Sequence, residues 1–338
     1  MKELLDRAVQ YKSIAVVGLA KNTGKTVTVN CLLDGLSNRG LTVGLTSTGR
    51  DGEKADVLTD LPKPPVVLPR GAVVATAGGC LGQGTARLEI LASLDISNPL
   101  GEIVLARVRE PGTAEISGPE RTRDVQAAID ALLDWSDLVL IDGALDRIAA
   151  SAPAVTEAAI LATGAVLSYD LERVVESTVF SARKLLLPAS VRLTPQGAGL
   201  LAAGRSGVQS RDGTVKPLPM ATLIDGPVEL LDYLDAQWSC LLVGGALTNE
   251  LARLLAAAAQ RIPGLEVVVR DGTRIFADIR QWQELERNGV SVTAAAPINL
   301  LGVSVNPVGK HGRRIPGAAL VEAIAKMLPG VLVVDPLA

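Results

Sequence analysis

The sequence predicts an α/β protein of two bodies, each a mostly parallel sheet flanked by helices. Three observations carry that prediction. Short β-branched apolar runs alternate with stretches of helical periodicity along the chain, the pattern of strand–helix–strand units. The plan of strand, glycine turn and helix at residues 13–40 recurs at 240–259, in layout though not in sequence. A Gly- and Pro-rich stretch after Pro188 interrupts the alternation where a boundary belongs. A chain of 338 residues has ample material for two cores.

Each element has its own signal. MKELLDRAVQYK (1–12) reads as a charged helix without the apolar centre of a signal peptide. SIAVVGL (13–19) is a strand, and a helix runs through VTVNCLLDGLSNRG to Gly40. LTVGLTS (41–47) is a second strand. The segment 48–71 holds four prolines, which argue against a regular element there, and a connection of that length is functional or mobile. ARLEILASLDI (86–96) and GEIVLARVRE (101–110) flank SNPLG as two antiparallel strands. PERTRDVQAAIDALLDWS (119–136) is a helix, DLVLIDGALDR (137–147) a buried strand ending in acidic residues, and DLERVVESTVFSARKLLL (170–187) an amphipathic helix. The expected organisation is a first α/β domain at 1–188, a linker or hairpin at 189–222, and a second, Rossmann-like α/β domain at 223–338. In that last part CLLV (240–243), LEVVVRDGTRIF (265–276), NLLGVSVNPV (299–308) and VLVVDPL (331–337) read as strands. Helices at RQWQELERNG (280–289) and PGAALVEAIAKMLP (316–329) separate them.

Composition excludes several functions. Apolar residues make up 48% and charged residues 20%, a globular balance. Aromatics at 2% offer few platforms for stacking bases, and a net charge of −3 gives no general attraction to nucleic acid or anionic lipid. Neither nucleic acid nor membrane is expected as a partner. The longest apolar run, near 158–167, is too short to span a bilayer. Cys31, Cys80 and Cys240 lie far apart with no C-x-x-C pair, so reduced thiols and a cytoplasmic location are expected, without a zinc site.

The chemistry concentrates in GLAKNTGKT (18–26). Successive backbone N–H groups at a helix N-terminus cradle phosphate, a lysine neutralises it, and the following hydroxyl holds Mg²⁺. Gly24, Lys25 and Thr26 fill those places. The usual pattern wants a glycine at 19, where Leu19 stands; Gly18 opens a loop one residue longer than usual. Gly18, Lys21, Asn22, Thr23, Gly24, Lys25, Thr26 and Val27 are therefore the expected nucleotide contacts, with Lys25 also acting on the transferred phosphate. An ordinary glycine turn with an exposed lysine is the alternative. A magnesium site needs a second oxygen donor at the end of a neighbouring buried strand, and LVLID supplies Asp142, with Asp146 four residues on. In TSTGRDGEKAD (46–56), Arg50 is placed to meet phosphate, Asp51 to orient water or contact the metal, and Glu53 to orient water; a solvated polar turn reads equally well. The expected cofactors are ATP and Mg²⁺. The absence of N-K-x-D and D-x-x-G segments tilts the base from GTP to ATP.

Three further segments are weaker candidates. PGTAEISGPERTR (111–123) is a ligand loop or a helix entry capped by Ser117. GGALTNEL (244–251) offers a helix N-terminus with Thr248 and Asn249 to an anion or partner group. GKHGRR (309–314) holds the sole histidine, His311, in a solvated basic loop.

The spacing Gly18-x5-Gly24-Lys25-Thr26 resembles that of dethiobiotin synthetases and their relatives, the branch of P-loop NTPases that includes partitioning and cobyrinic-acid amidating ATPases. The resemblance covers roughly the first 190 residues. It implies a P-loop NTPase fold with Lys25 and Thr26 on ATP and Mg²⁺; LAKN departs from the Thr-Asp-Thr type sequence of the synthetases. GLAKNTGKT, TSTGRDGEKADVLTDLPKP, VLIDGALDR, ILATGAVLS and VSVNP resemble a P-loop family found with adenosylcobalamin-dependent lysine and ornithine aminomutases, whose members are described as reactivase subunits. That resemblance implies an ATPase acting on an adenosylcobalamin-dependent aminomutase to exchange damaged cobalamin. The expected function is thus a probable ATPase, Mg-dependent, working on a partner enzyme. The alternatives are an ATP-dependent ligase or kinase of the dethiobiotin synthetase type, and a nucleotide-regulated binding protein without turnover. A homo-oligomer is compatible with any of them.

Overall fold

The computed structural model describes residues 1–48, 64–143, 152–220 and 222–338, with Arg50, Asp51 and Lys310 described by backbone alone. The chain divides into two compact units, Met1–Ala182 with Asn299–Ala338, and Arg183–Ile298.

The first unit begins with α1 (Lys2–Ala8) and β1 (Ser13–Gly18), followed by α2 (Lys25–Ser37) and β2 (Val43–Ser47). Next come β3 (Arg50–Asp51), β4 (Val66–Leu68), β5 (Val73–Ala77), and a hairpin of β6 (Arg87–Asn98) and β7 (Gly101–Glu110). Two short strands, β8 (Gly112–Ala114) and β9 (Ile116–Ser117), lead to α3 (Thr122–Leu133), β10 (Leu138–Asp142), β11 (Ala158–Gly164) and α4 (Leu171–Leu185). The main sheet has nine strands among the described residues, and β1 lies in parallel between β10 and β11. From β10 the sheet continues through β2 and β5 in parallel, then antiparallel through β7 to β6 at the edge.

Every residue of β1, β2, β10 and β11 is buried, as expected of parallel strands covered on both faces. Ile14 and Val16 pack with Val29, Leu32, Leu33 and Leu36 of α2 and with Leu4 and Leu5 of α1. Because side chains alternate along a strand, Ala15 and Val17 face the other side. The apolar stripe of α3, Val125, Ala128, Ile129 and Leu132, follows the i, i+3, i+4, i+7 spacing of a helix with one buried face. Gly40 ends the chain's turn out of α2 at φ 82°, where its N–H bonds to Ser37 and that of Leu41 bonds to Leu36.

One expectation about this unit changes. The prolines of 48–71 do not exclude a regular element: β4 lies between Pro65 and Pro69 and pairs antiparallel with β8. The three residues between the prolines keep their N–H groups, so the ladder survives. The amide of Asn30 on α2 bonds both to Pro65 and to Val67, anchoring the strand.

The second unit contains α5 (Pro195–Ala202), β12 (Gly207–Gln209), β13 (Val215–Pro217), β14 (Cys240–Val243), α6 (Asn249–Ala259), β15 (Glu266–Val269), α7 (Ile279–Arg287) and β16 (Ser291–Ala294). Among the described residues its sheet has five strands in the order β13-β12-β14-β15-β16; β14, β15 and β16 are parallel and β12 and β13 antiparallel. The stretch expected as a linker or hairpin supplies α5 and a hairpin, β12–β13, that extends this sheet. Leu201 of α5 and Val215 of β13 are buried with Cys240, Leu242 and Val268.

Residues 299–338, expected in the second body, belong to the first. They form β17 (Leu300–Asn306), α8 (Gly317–Met327) and β18 (Val333–Val334), and β17 pairs in parallel with β11 across Ala159–Gly164. The apolar run 299–308 specifies a buried strand but not which sheet it enters, so the second unit is an insertion between α4 and β17. Among the described residues, no helix is long and apolar enough to cross a membrane.

Candidate functional site

The site lies at the C-terminal ends of β1, β10 and β2, the edge where open parallel sheets take ligands. From Gly18 the chain makes a tight loop to Gly24, and α2 starts at Lys25 with no side-chain cap. Two glycines make the loop possible. A Cβ on Gly18 would stand 2.5 Å from Thr23 Oγ1 and 2.9 Å from Lys25 Cγ, so the loop and the lysine stem close over the end of the strand. Gly24 adopts φ 91°, a left-handed conformation that opens the helix. Asn22 also has positive φ, at 62°. Leu19 N–H donates to Ala162, Thr23 Oγ1 donates to Ala20, and Gly24 accepts from both the amide and the hydroxyl of Thr28. The five-residue spacer between Gly18 and Gly24 is therefore a closed, internally bonded loop.

Thr23, Lys25 and Thr26 are buried, whereas Lys21 is exposed. Asp142, at the end of β10, is buried beside them and opposite Val16 in the parallel ladder. The Thr26 hydroxyl donates to Asp142 Oδ2 at 3.3 Å, joining residues 116 positions apart. The main chain around Asp142 is held on both sides: Gly143 N–H donates to the Val16 carbonyl, and Thr48 N–H donates to the Asp142 carbonyl. A lysine at a helix start, a hydroxyl and a carboxylate thus converge on one strand edge, and oxygen donors of this kind suit a hard cation.

The Pro111–Arg123 segment reaches the same edge by a different route than a helix cap. Ser117 is in β9 and pairs with Arg50, while α3 is capped at Arg121 without a side-chain bond. Gly118 N–H donates to Ser47 Oγ, whose hydroxyl donates to Ile116, and a Cβ on Gly118 would lie 2.0 Å from the Ser47 carbonyl. The amide of Asn98 bonds Ser117 and Gly118 from the other side. Arg50 and Asp51 are placed at this edge by their backbone pairing alone, and Glu53 and Asp146 fall outside the described residues.

Comparison with protein-family models, curated proteins and solved structures gives no match for this chain. The site is therefore read from its own geometry. Among the described residues, no group of three or more His, Cys, Asp or Glu side chains could hold a metal. The pairing at Asp142 is with a hydroxyl instead. Thr248 and Asn249 serve the second unit's own structure: Thr248 caps α6 and donates to Ile224, and Asn249 exchanges two hydrogen bonds with Asp278. His311 is exposed at φ 54°, in a turn where Arg313 lies 4.7 Å from the Tyr169 ring. The sequence reading assigned no site role to Asn306 and Ser304 on β17. Ser304 Oγ accepts from Thr28 Oγ1, and Asn306 Nδ2 donates to the Asn22 carbonyl. Both residues lie in the VSVNP string, and Asn306 stands after a buried strand and before Pro307.

Proposed function

We propose that the first unit binds Mg²⁺–ATP through a phosphate loop at Gly18–Thr26 and hydrolyses it slowly. The Thr26–Asp142 hydrogen bond at 3.3 Å carries this reading. It brings the two oxygen donors that a nucleotide-bound magnesium requires to one strand edge, next to a lysine at a helix N-terminus. The residues fit the group: the left-handed Gly24 opens the helix and the bare Gly18 lets the loop close. Lys25 would neutralise the terminal phosphates, and Thr26 and Asp142 would hold the ion, which supplies positive charge to the phosphate oxygens. The resemblance of the strings quoted above to an aminomutase-reactivase family supports a partner enzyme as what the nucleotide state acts on. Stimulation of turnover by a purified adenosylcobalamin-dependent aminomutase tests that part.

The direct test is calorimetric titration with Mg²⁺–ATP and measurement of basal phosphate release. Lys25→Ala is expected to weaken binding by at least about 100-fold, since a buried ion pair lost on one side costs roughly 3 kcal/mol or more. Asp142→Asn is expected to remove the magnesium dependence while leaving some affinity for ATP alone. Unchanged binding in Lys25→Ala would refute the proposal.

A further inference from the structure

We infer that Asn306 is the positioning residue of the loop at 18–26, holding it in the shape that receives phosphate; this rests on the nucleotide reading above. The side chain is oriented by its surroundings. Val308 N–H donates to Asn306 Oδ1 at 3.0 Å, which identifies the amide oxygen and turns Nδ2 toward the loop. Nδ2 then donates to the Asn22 carbonyl at 3.0 Å. Asn22 is the loop's non-glycine residue in the left-handed region, a conformation that asparagine tolerates better than most side chains and that surrounding bonds favour. Two residues on, Gly24 approaches so closely that a Cβ would be 2.9 Å from Asn306 Cβ. The backbone of Asn306 is fixed as well. Its carbonyl accepts Ala165 N–H at 2.9 Å, and Gly164 leaves no room for a side chain against it, a Cβ there lying 2.3 Å from that oxygen.

The arrangement has the logic of a strut. A rigid parallel strand, β17, ends in an amide with one face anchored to its own turn and the other gripping the apex of the loop. In the nucleotide reading the loop's N–H groups would face an anion only while Asn22 and Gly24 both keep positive φ; Asn306 bonds the first and packs closely beside the second. Asparagine suits the place because the task needs one acceptor and one donor on a short stem. An aspartate of the same shape keeps the bond from Val308 but presents a charged oxygen to the Asn22 carbonyl. β17 is also the first strand after the chain leaves the second unit, so the loop is braced by the segment through which the chain returns.

The test compares Asn306→Ala, Asn306→Ser and Asn306→Asp in the full chain, with Lys25→Ala as control, titrating Mg²⁺–ATP and Mg²⁺–GTP by calorimetry and recording thermal midpoints without nucleotide. Asn306→Ala and Asn306→Ser are expected to weaken both nucleotides equally, by roughly 5- to 10-fold, the effect of one lost hydrogen bond. Asn306→Asp is expected to weaken them by roughly 30-fold or more, because the donor becomes a repelling charge. The midpoint without nucleotide is expected to fall by no more than about 3 °C. The serine variant, which retains a hydroxyl for Val308, serves if the alanine variant fails to fold. Loss of binding in Lys25→Ala with unchanged affinity in all three Asn306 variants overturns the strut alone. A change in the ATP-to-GTP ratio also overturns it, by making Asn306 a reader of the base. Unchanged binding in Lys25→Ala overturns the nucleotide reading and the strut with it.

Discussion

Replacing Gly24 by alanine tests the loop geometry most sharply, because Gly40 provides a matched control in the same unit. Both glycines have positive φ, 91° at Gly24 and 82° at Gly40. For an alanine the left-handed region costs about 1–2 kcal/mol, partly offset by about 0.4–1 kcal/mol from the stiffer unfolded chain. At Gly40 a Cβ has no atom within 4 Å, so Gly40→Ala is expected to cost about 1 kcal/mol and no more. At Gly24 the same Cβ meets Asn306 Cβ at 2.9 Å, on a strand end that cannot swing aside as a flexible side chain would. Overpacking of that kind adds about 1–3 kcal/mol, giving about 2–4 kcal/mol in all. Urea unfolding of both variants, followed by a probe of the first unit, measures the difference directly, since both sites report on one transition. Mg²⁺–ATP affinity is expected to drop in Gly24→Ala and to hold in Gly40→Ala. Equal destabilisation of the two variants would refute the close approach of the loop to β17.

Two further predictions concern the second unit. The Cys240 thiol is pushed up to about 12, first by burial and then by the Glu266 charge. A folded-state value above the unfolded one means the folded chain keeps its proton while the unfolded chain loses it. This contribution is therefore full below the usual thiol value and declines as pH rises from about 9 toward about 12. Cys240→Ala is expected to flatten the loss of stability across that window in pH-dependent urea unfolding, and an unchanged slope would count against it. Glu266 is buried at the start of β15, where its Oε1 accepts the hydroxyls of Ser190 and Thr293 and its Oε2 lies 3.6 Å from Arg192. Glu266→Ala strands two hydroxyls and a half-buried arginine, so a loss of about 2–4 kcal/mol is expected by denaturant titration, against about 1 kcal/mol for Glu266→Gln.

Much of the architecture was legible along the chain because its signals are local. The β-branched run 13–18, the helix of 25–37 with its glycine stop and the hairpin around Pro99 are set by periodicity and turn chemistry, and each stands near its expected place. The same holds for α3, α4, α6, α7 and α8, whose apolar stripes recur at helical spacing. The proline-rich segment misled because counting prolines ignores where they fall: β4 fits between two of them. Of the two readings open for 111–123, the Ser117 cap fails because a hydroxyl before a helix only looks like a cap, whereas Gly118 and Ser47 draw that segment onto the sheet edge.

What the sequence determined by itself is the set of elements and the loop composition at 18–26, since helix and strand periods, glycine torsions and buried runs depend on neighbours a few residues away. What only the tertiary structure decided is which distant residues meet. Asp142 reaches Thr26 because β10 pairs beside β1 in register, and residues 299–338 rejoin the first unit because β17 pairs with β11. Asn306 reaches Asn22 across 284 positions for the same reason. Strand order is a long-range choice made by packing the whole sheet, and no short stretch of sequence encodes it.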